Sequence, residues 1–432
     1  MDMLTQLKKQ AEQVEVLNLQ NEKTTVEYEA NQLKTCTVAE TKGIAVRVIR
    51  KGKLGFAAST DATVMDKLAA NALESAAYGD EVAFSFPDPQ AGPTVKTFDQ
   101  VVVDLPIARL VEMGKEILDL VLPVEPEARC NISLERSIAS ASIRNQKGLD
   151  VSFQTSPFSI GVEIDRVQGD DVLILFDQFG TTTWEKDYLA FARRLVEQLK
   201  MARTPATLKP GKMPVLFSPT GSLSLFLPLS YGLNGKEVYK GTSPIAGRIG
   251  EKLLDGKITV VDDGTIDGKF ASASYDDEGT PHRRNSLVEK GVLKSFIYDL
   301  KTAAQSGVQS TGNASRGLFN PPDPAFTNFV ILPGDVPLKE MIAGIQEGIL
   351  VENVLGLGQG NIISGAFSNP LALAFKIEKG EIVGRVKDMS IAGNIYDLLK
   401  DVTAVSREAT WVYNTFHAPY LLIPEMNVAG KS

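Results

Sequence analysis

The run "GIAVRVIRKGKLGFAAS", residues 43–59, alternates apolar and polar side chains on both sides of a Lys51-Gly52-Lys53 turn. Alternation with period two puts every second side chain on one face, so the run is predicted to form a β-meander buried on one side. The same period occurs upstream in "TTVEYEA" and "TCTVAET". It returns in "NISLERSIASASIRNQKGLDVSFQTSPFSIGVEIDRVQGDDVLILFDQF", with turns at Gln146-Lys147-Gly148 and Gln168-Gly169-Asp170. Helical spacing is interleaved with these strands. A helix capped by Asp61 is predicted to run to about Tyr78, with Val64, Met65, Leu68 and Leu73 near one stripe. Others are predicted from about Pro106 to Leu120 and from about Lys186 to Met201, and "MDMLTQLKKQAEQVEVL" reads as a charged amphipathic helix at the start.

At 432 residues the chain exceeds one ordinary core and predicts two or three domains. "ARTPATLKPGKMP", Ala202 to Pro214, is rich in proline and lacks apolar periodicity, so it marks the main boundary. An N-terminal α+β unit is expected over 1–205, with two similar subdomains over about 1–90 and 106–205. Beyond it, short strands and glycine turns recur in "GKITVVDDGTIDG", "SLVEKGVLKSFIYDL" and "LALAFKIEKGEIVGRV". Residues 206–432 are therefore expected to form a mostly antiparallel, curved or barrel-like β domain with flanking helices, placed near Leu338 to Gly348 and Ala392 to Lys400.

Charge narrows the function classes. A net charge of −8 and a pI near 5.2 argue against phosphate-backbone binding, which needs clustered Lys and Arg. The uncharged stretch Pro214 to Leu233 holds prolines, glycines and hydroxyls that a lipid-exposed helix would have to satisfy internally, so no membrane span is expected. The N-terminus lacks the apolar stretch of a signal peptide, which predicts a cytoplasmic location. Cys36 and Cys130, with no CxxC spacing, are predicted to be two buried thiols in a reducing compartment.

With only His282 and His417, histidine-based chemistry is scarce. HExxH, HxH, CxxC and GxSxG are all missing from the sequence. "VDDGTIDG", Val261 to Gly268, lacks the acid that a calcium loop needs at its twelfth position, where Ser274 stands. "GLGQGNIISG", Gly356 to Gly365, fits no phosphate-loop spacing and reads as turns with positive φ. "DDEGTPHRRN", Asp276 to Asn285, has two readings: a turn leading into a hairpin about Glu289-Lys290-Gly291, or a cleft where Asp277, Glu278 and Arg283 bind a charged substrate group.

The wider segment "SYDDEGTPHRRNSLVEKGVLKSFIYDLKTAAQSGVQSTGNASRG", Ser274 to Gly317, resembles the C-terminal domain of the TldD/PmbA family. "GLGQGNIISGAF" and "MSIAGNIYDLL", Met389 to Leu399, resemble that family's later signatures, and the similarity extends from about residue 20 to the end. The resemblance implies a cytoplasmic metalloprotease system. In it, a TldD-type subunit carries zinc through an HExxxH helix, a PmbA (TldE)-type subunit lacks that motif, and the two form a heterodimer that cleaves unfolded peptides. An older description links the family to modulation of DNA gyrase.

Counting back from Gly241 in "FLPLSYGLNGKEVYKGTS", Phe226 takes the first histidine position, Leu227 that of the glutamate and Tyr231 that of the second histidine. A phenyl ring has no lone pair for zinc, and an isobutyl group cannot serve as general base. The cysteine that the family's zinc subunit is thought to contribute near its C-terminus has no counterpart in "SREATWVYNTFHAPYLLIPEMNVAGKS". The resemblance thus implies a PmbA (TldE)-type chain with no cofactor of its own, zinc residing only in a TldD-type partner, with a homodimer open as its form when alone. Its substrate would be a peptide held as an added strand. Two alternatives stand beside this reading: an active metallopeptidase using His282, His417 and the acids of the DDEG turn, and a non-enzymatic regulator linked to gyrase.

Overall fold

The computed structural model describes residues 3–430. Its first half holds β1 (Gln13–Glu29), β2 (Gln32–Arg50), β3 (Lys53–Ser59), β4 (Arg129–Asn145), β5 (Asp150–Thr155), β6 (Phe158–Gln168) and β7 (Asp171–Thr181). These form one seven-stranded sheet in the order β3-β2-β1-β4-β6-β7, with β5 paired to β4. The two meanders meet where β1 and β4 pair, from Glu15 opposite Asn145 to Tyr28 opposite Ile132. The helices are α1 (Met3–Leu7), α2 (Met65–Ser75), α3 (Gln100–Val103), α4 (Ile107–Val121) and α5 (Ala190–Met201).

The N-terminal helix is shorter than expected. It covers only Met3–Leu7, because from Gln13 onward the chain pairs residue by residue with β2. The last helix of this half likewise begins at Ala190 rather than near Lys186. Leu110, Met113, Ile117, Leu118 and Val121 of α4 recur at three- and four-residue spacing and are buried. Such burial contributes about 1.5–3 kcal/mol for each large side chain. Cys130 is buried as predicted, but Cys36 is exposed. It lies in the outer part of β2, where β3 no longer pairs, since that pairing covers only Ile44 to Arg50.

The second half opens with β8 (Gly211–Phe217), α6 (Leu223–Gly232), α7 (Gly235–Tyr239) and β9 (Val260–Asp263). The hairpin β10 (Arg284–Glu289) and β11 (Val292–Leu293) follows, turning at Lys290-Gly291 as predicted. Then come α8 (Leu300–Gln305), β12 (Ala314–Ser315), β13 (Asp323–Pro324), β14 (Phe329–Ile331), α9 (Leu338–Ala343) and β15 (Glu347–Val354). The chain ends with β16 (Ala366–Glu378), β17 (Glu381–Val386), β18 (Met389–Asn394), α10 (Ile395–Leu398), β19 (Ala404–Val412) and β20 (Phe416–Gly430). The path β20-β18-β16-β15-β8 closes on itself through β20–β8 pairing, making a barrel.

Two helical expectations in this half are corrected. α9 stops at Ala343, and the β-rich run from Glu347 pairs with β8 and β16. A side chain at Gly348 would meet the Pro214 carbonyl at 2.8 Å, a close backbone approach that only glycine allows. Residues 389–394 are strand, and the helix begins only after Asn394, whose side chain caps the Tyr396 amide. The barrel interior is filled by a core that includes Phe217, Phe226, Ile349 and Leu421. Its outer side packs Leu350, Phe375 and Leu422 against α4, α5 and the N-terminal sheet.

Candidate functional site

Helix α6 carries the three positions singled out above, and it sends them to different environments. Phe226 is 1% exposed, with its ring 6.3 Å from that of Phe416, which stacks on Phe329 at 5.8 Å. Tyr231 is 47% exposed. Residues five apart on a regular helix point about 140° apart, so one faces the core and the other faces water. Leu227 is half-buried beside the glycine loop, its Cδ2 4.0 Å from where a side chain would start at Gly358. That loop holds Gly356, Gly358, Gly360 and Gly365 at positive φ, as its composition predicts. With Ser224 and Pro228 of α6 it lines a cavity of about 550 Å³.

His282 and His417 lie in different surroundings. His282 is buried against Gly264, and burial lowers its pKa to about 4, so the imidazole is neutral. His417 sits on β20, opposite Val330 of β14, with its ring 5.0 Å from that of Trp411. Among the described residues, no group of three or more His, Cys, Asp and Glu side chains is arranged to hold a metal ion.

The three acids of the DDEG turn also diverge. Asp276 accepts the amides of Glu278 (2.9 Å), Thr280 (2.8 Å) and Ala314 (3.0 Å). Burial, reinforced by the nearby Glu278 carboxylate, raises its pKa well above the usual range. Glu278 turns inward, accepting from Arg47 at 2.6 Å and from the Leu300 amide at 2.8 Å. Arg47 in turn grips Glu15 through two hydrogen bonds of 2.9 and 2.6 Å, and Arg316 binds the same carboxylate at 2.7 Å. Every side chain in this cluster is at most 1% exposed.

Burial opposes ionisation throughout the cluster, but the pairing prevails for Glu15, whose pKa is held low by Arg316 and Arg47. The Arg47 proton, which burial would loosen, is held by Glu15 and Glu278. At Glu278 burial prevails over Arg47, and the pKa rises. Because Glu15 and Arg47 come from β1 and β2 while Glu278 and Arg316 come from the second half, the cluster ties the N-terminal sheet to the DDEG turn. Sequence reading missed this network, since its members are spaced across the chain.

Arg283 is exposed and donates to Asn285 (3.0 Å) and the Ser310 carbonyl (2.8 Å), away from Glu278. Of the three proposed substrate-binding side chains, Asp277 lines a cavity of about 220 Å³, together with Asp276, His282 and Asn313. Asp277 accepts the Arg316 amide at 2.8 Å, and burial raises its pKa. Behind it, Asn313 donates to buried Asp262 at 2.6 Å. Burial moves the Asp262 pKa up to about 6, against the Asn313 and Thr327 hydrogen bonds.

A larger cavity of about 840 Å³ lies over the N-terminal sheet. Thr97 and Phe153 contribute to the lining of both, but the larger lies over the face of Asn18, Ser142 and Ser152 and the smaller over the opposite face, that of Phe153 and Thr155.

Comparison with known proteins places this architecture. The family model described as PmbA/TldA metallopeptidase C-terminal domain matches residues 210–430, and that for domain 1 matches residues 14–76. An uncharacterized protein of Methanocaldococcus jannaschii is 28% identical over 406 residues, 91% of each chain. A metalloprotease of Methanothermobacter thermautotrophicus is 27% identical over 376 residues, 85% of this chain and 82% of that one. The crystal structure of TldE from Thermococcus kodakarensis is 26% identical and superposes with a TM-score of 0.91 over 99% of both chains. With a family model matching more than half of its length and a superposition that covers 99% of both chains, this chain belongs to the PmbA/TldD metallopeptidase family.

Proposed function

We propose that this chain is a PmbA (TldE)-type subunit that holds no zinc of its own and works with a zinc-bearing TldD-type partner on unfolded peptides. The observation that supports this most is the environment of α6. Phe226 has become part of the barrel core, Leu227 packs beside the glycine loop and Tyr231 points to water. Phe226 and Leu227 offer no zinc chemistry, and the single phenol of Tyr231, exposed on another side of the helix, does not make a zinc site. The scattered placement of His282 and His417 favours this reading over an unconventional metal site built from those two residues. The likeness to TldE points the same way.

In this reading the partner supplies the metal and the general base, and this chain supplies folded walls and a peptide-holding surface. Among the described residues no helix is long and apolar enough to cross a membrane, and a cytoplasmic assembly is part of the proposal. The test is to purify the chain alone and together with a homologue that retains HExxxH. Zinc content and cleavage of an unfolded peptide are then measured for each. The chain alone is expected to carry no stoichiometric zinc and no activity, with both appearing in the pair. One tightly held zinc per isolated chain with peptidase activity would overturn the reading.

A further inference from the structure

The sheet of the first half engages most of its outer backbone edges. On β3 the Leu54 amide donates to the Asp80 carbonyl at 3.0 Å and the Phe56 amide to the Ser75 hydroxyl at 2.9 Å. On β5 the Gln154 carbonyl accepts from the Thr97 hydroxyl at 2.9 Å, and on β7 the Val172 carbonyl accepts from Arg385 at 3.1 Å. β2 differs. It pairs with β1 from Gln32 to Ile49, but β3 meets it only from Ile44, opposite Ser59, to Arg50, opposite Lys53. After Ser59 the chain turns away at Asp61, whose carboxylate accepts the Thr63 amide at 2.8 Å to start the next helical turn. The lane that β3 would have continued along is left vacant. Among the described residues, no other strand or loop bonds to the outer backbone edge of residues 35–43.

The side chains beside this lane narrow what could fill it. Thr35, Thr37, Ala39, Thr41 and Gly43 alternate on one face, with Cys36, Val38, Glu40 and Lys42 on the other. Glu40 and Lys42 pair with each other at 2.6 Å, so the run carries no net charge. Residues 32–43 hold no aromatic side chain and no arginine, the anchors on which folded partners depend. What the edge does offer is main chain. Alternate residues turn both N–H and C=O outward, and bonds to these groups accept any sequence, while small neighbours leave room for large side chains. The lane has defined ends. Tyr28 pairs with Leu33 but Glu27 with Thr35, so Lys34 is an extra residue and its bulge closes the outer end. At the inner end Gly43 abuts Leu318 of the second half, and Lys42, Gly43 and Ile44 line the larger cavity with Ser59 and Thr60.

We propose that an unfolded peptide binds in this lane as an added strand of the N-terminal sheet, running between the bulge at Lys34 and the larger cavity. The site rests on the peptide-processing reading above and specifies how this chain holds its substrate: as an extended segment recognised by its backbone. At about 3.3 Å per residue, positions 35–43 span roughly 30 Å, which suits a segment of about eight residues. Without side-chain pockets the lane selects for an unpaired, extended backbone and against a folded one, because a folded chain has already used the same donors and acceptors.

Hydrogen exchange read by mass spectrometry on the full chain, with and without an excess of an unstructured Ser/Thr/Ala dodecapeptide, tests the site. Within residues 35–43 the outward amides are expected to exchange about tenfold or more slowly once the peptide is added, while the rest of the sheet stays unchanged. The same peptide N-methylated at every residue has no donors and should protect nothing. Thr37→Pro and Val38→Pro are made as a pair: one of two adjacent N–H groups faces outward, so one of these variants keeps its pairing with β1 and obstructs only the lane. That variant, identified by thermal unfolding close to that of the unchanged protein, should lose the protection. If neither variant folds, the comparison of the two peptides on the unchanged protein still decides. No protection at 35–43, or equal protection by both peptides, overturns the site. Protection present before any peptide is added, from the HExxxH homologue or from a second copy of the chain, would assign the edge to a subunit contact and overturn it as well. Cleavage is read separately: a pair that cleaves peptides without protecting this edge keeps the proposed function and removes the site, whereas protection in a pair that cleaves nothing keeps the site and removes the function.

Discussion

Replacing Arg47 with methionine isolates the electrostatic cluster that joins the two halves. Methionine keeps much of the apolar stem that packs near Phe86, whose ring centre lies 5.0 Å from the guanidinium carbon. It removes both hydrogen bonds to Glu15 and the one to Glu278. Glu15 retains Arg316, but Glu278 retains only the Leu300 amide. Removing one partner of a fully buried pair costs about 3–5 kcal/mol, because the stranded charge has lost its solvation and its counter-ion together. Against a total stability of about 5–15 kcal/mol, such a loss is easily read in urea unfolding.

The second change, Glu278→Gln in the Arg47→Met background, separates a stranded charge from simple loss of packing. The amide oxygen still accepts from Leu300 and no charge remains, so about 2 kcal/mol should return. Acidification gives an independent check. With Arg47 gone, the folded-state pKa of Glu278 rises further above its unfolded value. The folded form then binds the proton more tightly, so stability lost at neutral pH is regained as pH falls through that pKa. The deficit of Arg47→Met against the unchanged protein, measured at each pH, should therefore shrink between pH 7 and pH 5. A single variant within 1 kcal/mol of the unchanged protein, a double variant less stable than the single, or a deficit that grows on acidification would refute this account.

Two further perturbations probe individual environments. The pKa of buried His282 falls to about 4, below its unfolded value, so between pH 6.5 and 4 the unfolded chain takes up a proton that the folded chain refuses. The unchanged protein should lose about 3 kcal/mol relative to His282→Gln across that window. A stability difference that stays constant with pH would show that the imidazole titrates normally. Asp262, with its pKa raised to about 6, acts in the opposite sense but is present in both proteins and cancels. On α6, Phe226→Ala should cost about 3–5 kcal/mol as a core cavity, whereas Tyr231→Ala should cost less than about 1 kcal/mol. Equal costs in chemical denaturation would mean that the helix faces have been misjudged.

The fold was legible wherever one local period governed a segment. Residues 43–59 alternate because β2 and β3 each bury one face, and the helix over Ile107–Val121 announces itself through its three- and four-residue apolar spacing. The failures share a cause. The first residues, the run after Ala343 and the run before Asn394 all contain acceptable helix formers, but each pairs with strands far away in sequence. Closure of the barrel is of the same kind. It depends on β20 meeting β8, residues Phe416–Gly430 against Gly211–Phe217, which no local pattern encodes.

The candidate site divides along the same line. That Phe226, Leu227 and Tyr231 share one helix, with Phe226 and Tyr231 facing apart, could be read in sequence because helix geometry is local. The DDEG acids were legible as a cluster but not in their roles, since what separates Glu278 from Asp277 is Arg47, some 230 positions away along the chain. The open face over β1 was illegible for a further reason. Asn18, Lys42, Ser142 and Gln154 are unremarkable in their own segments, and each looks like the solvent side of an amphipathic strand. Only the register between strands shows that they abut, and only the helices at Val14 and Val26 show that the face around them is otherwise covered. A polar gap in a covered face is a property of the assembly, and only the folded chain displays it.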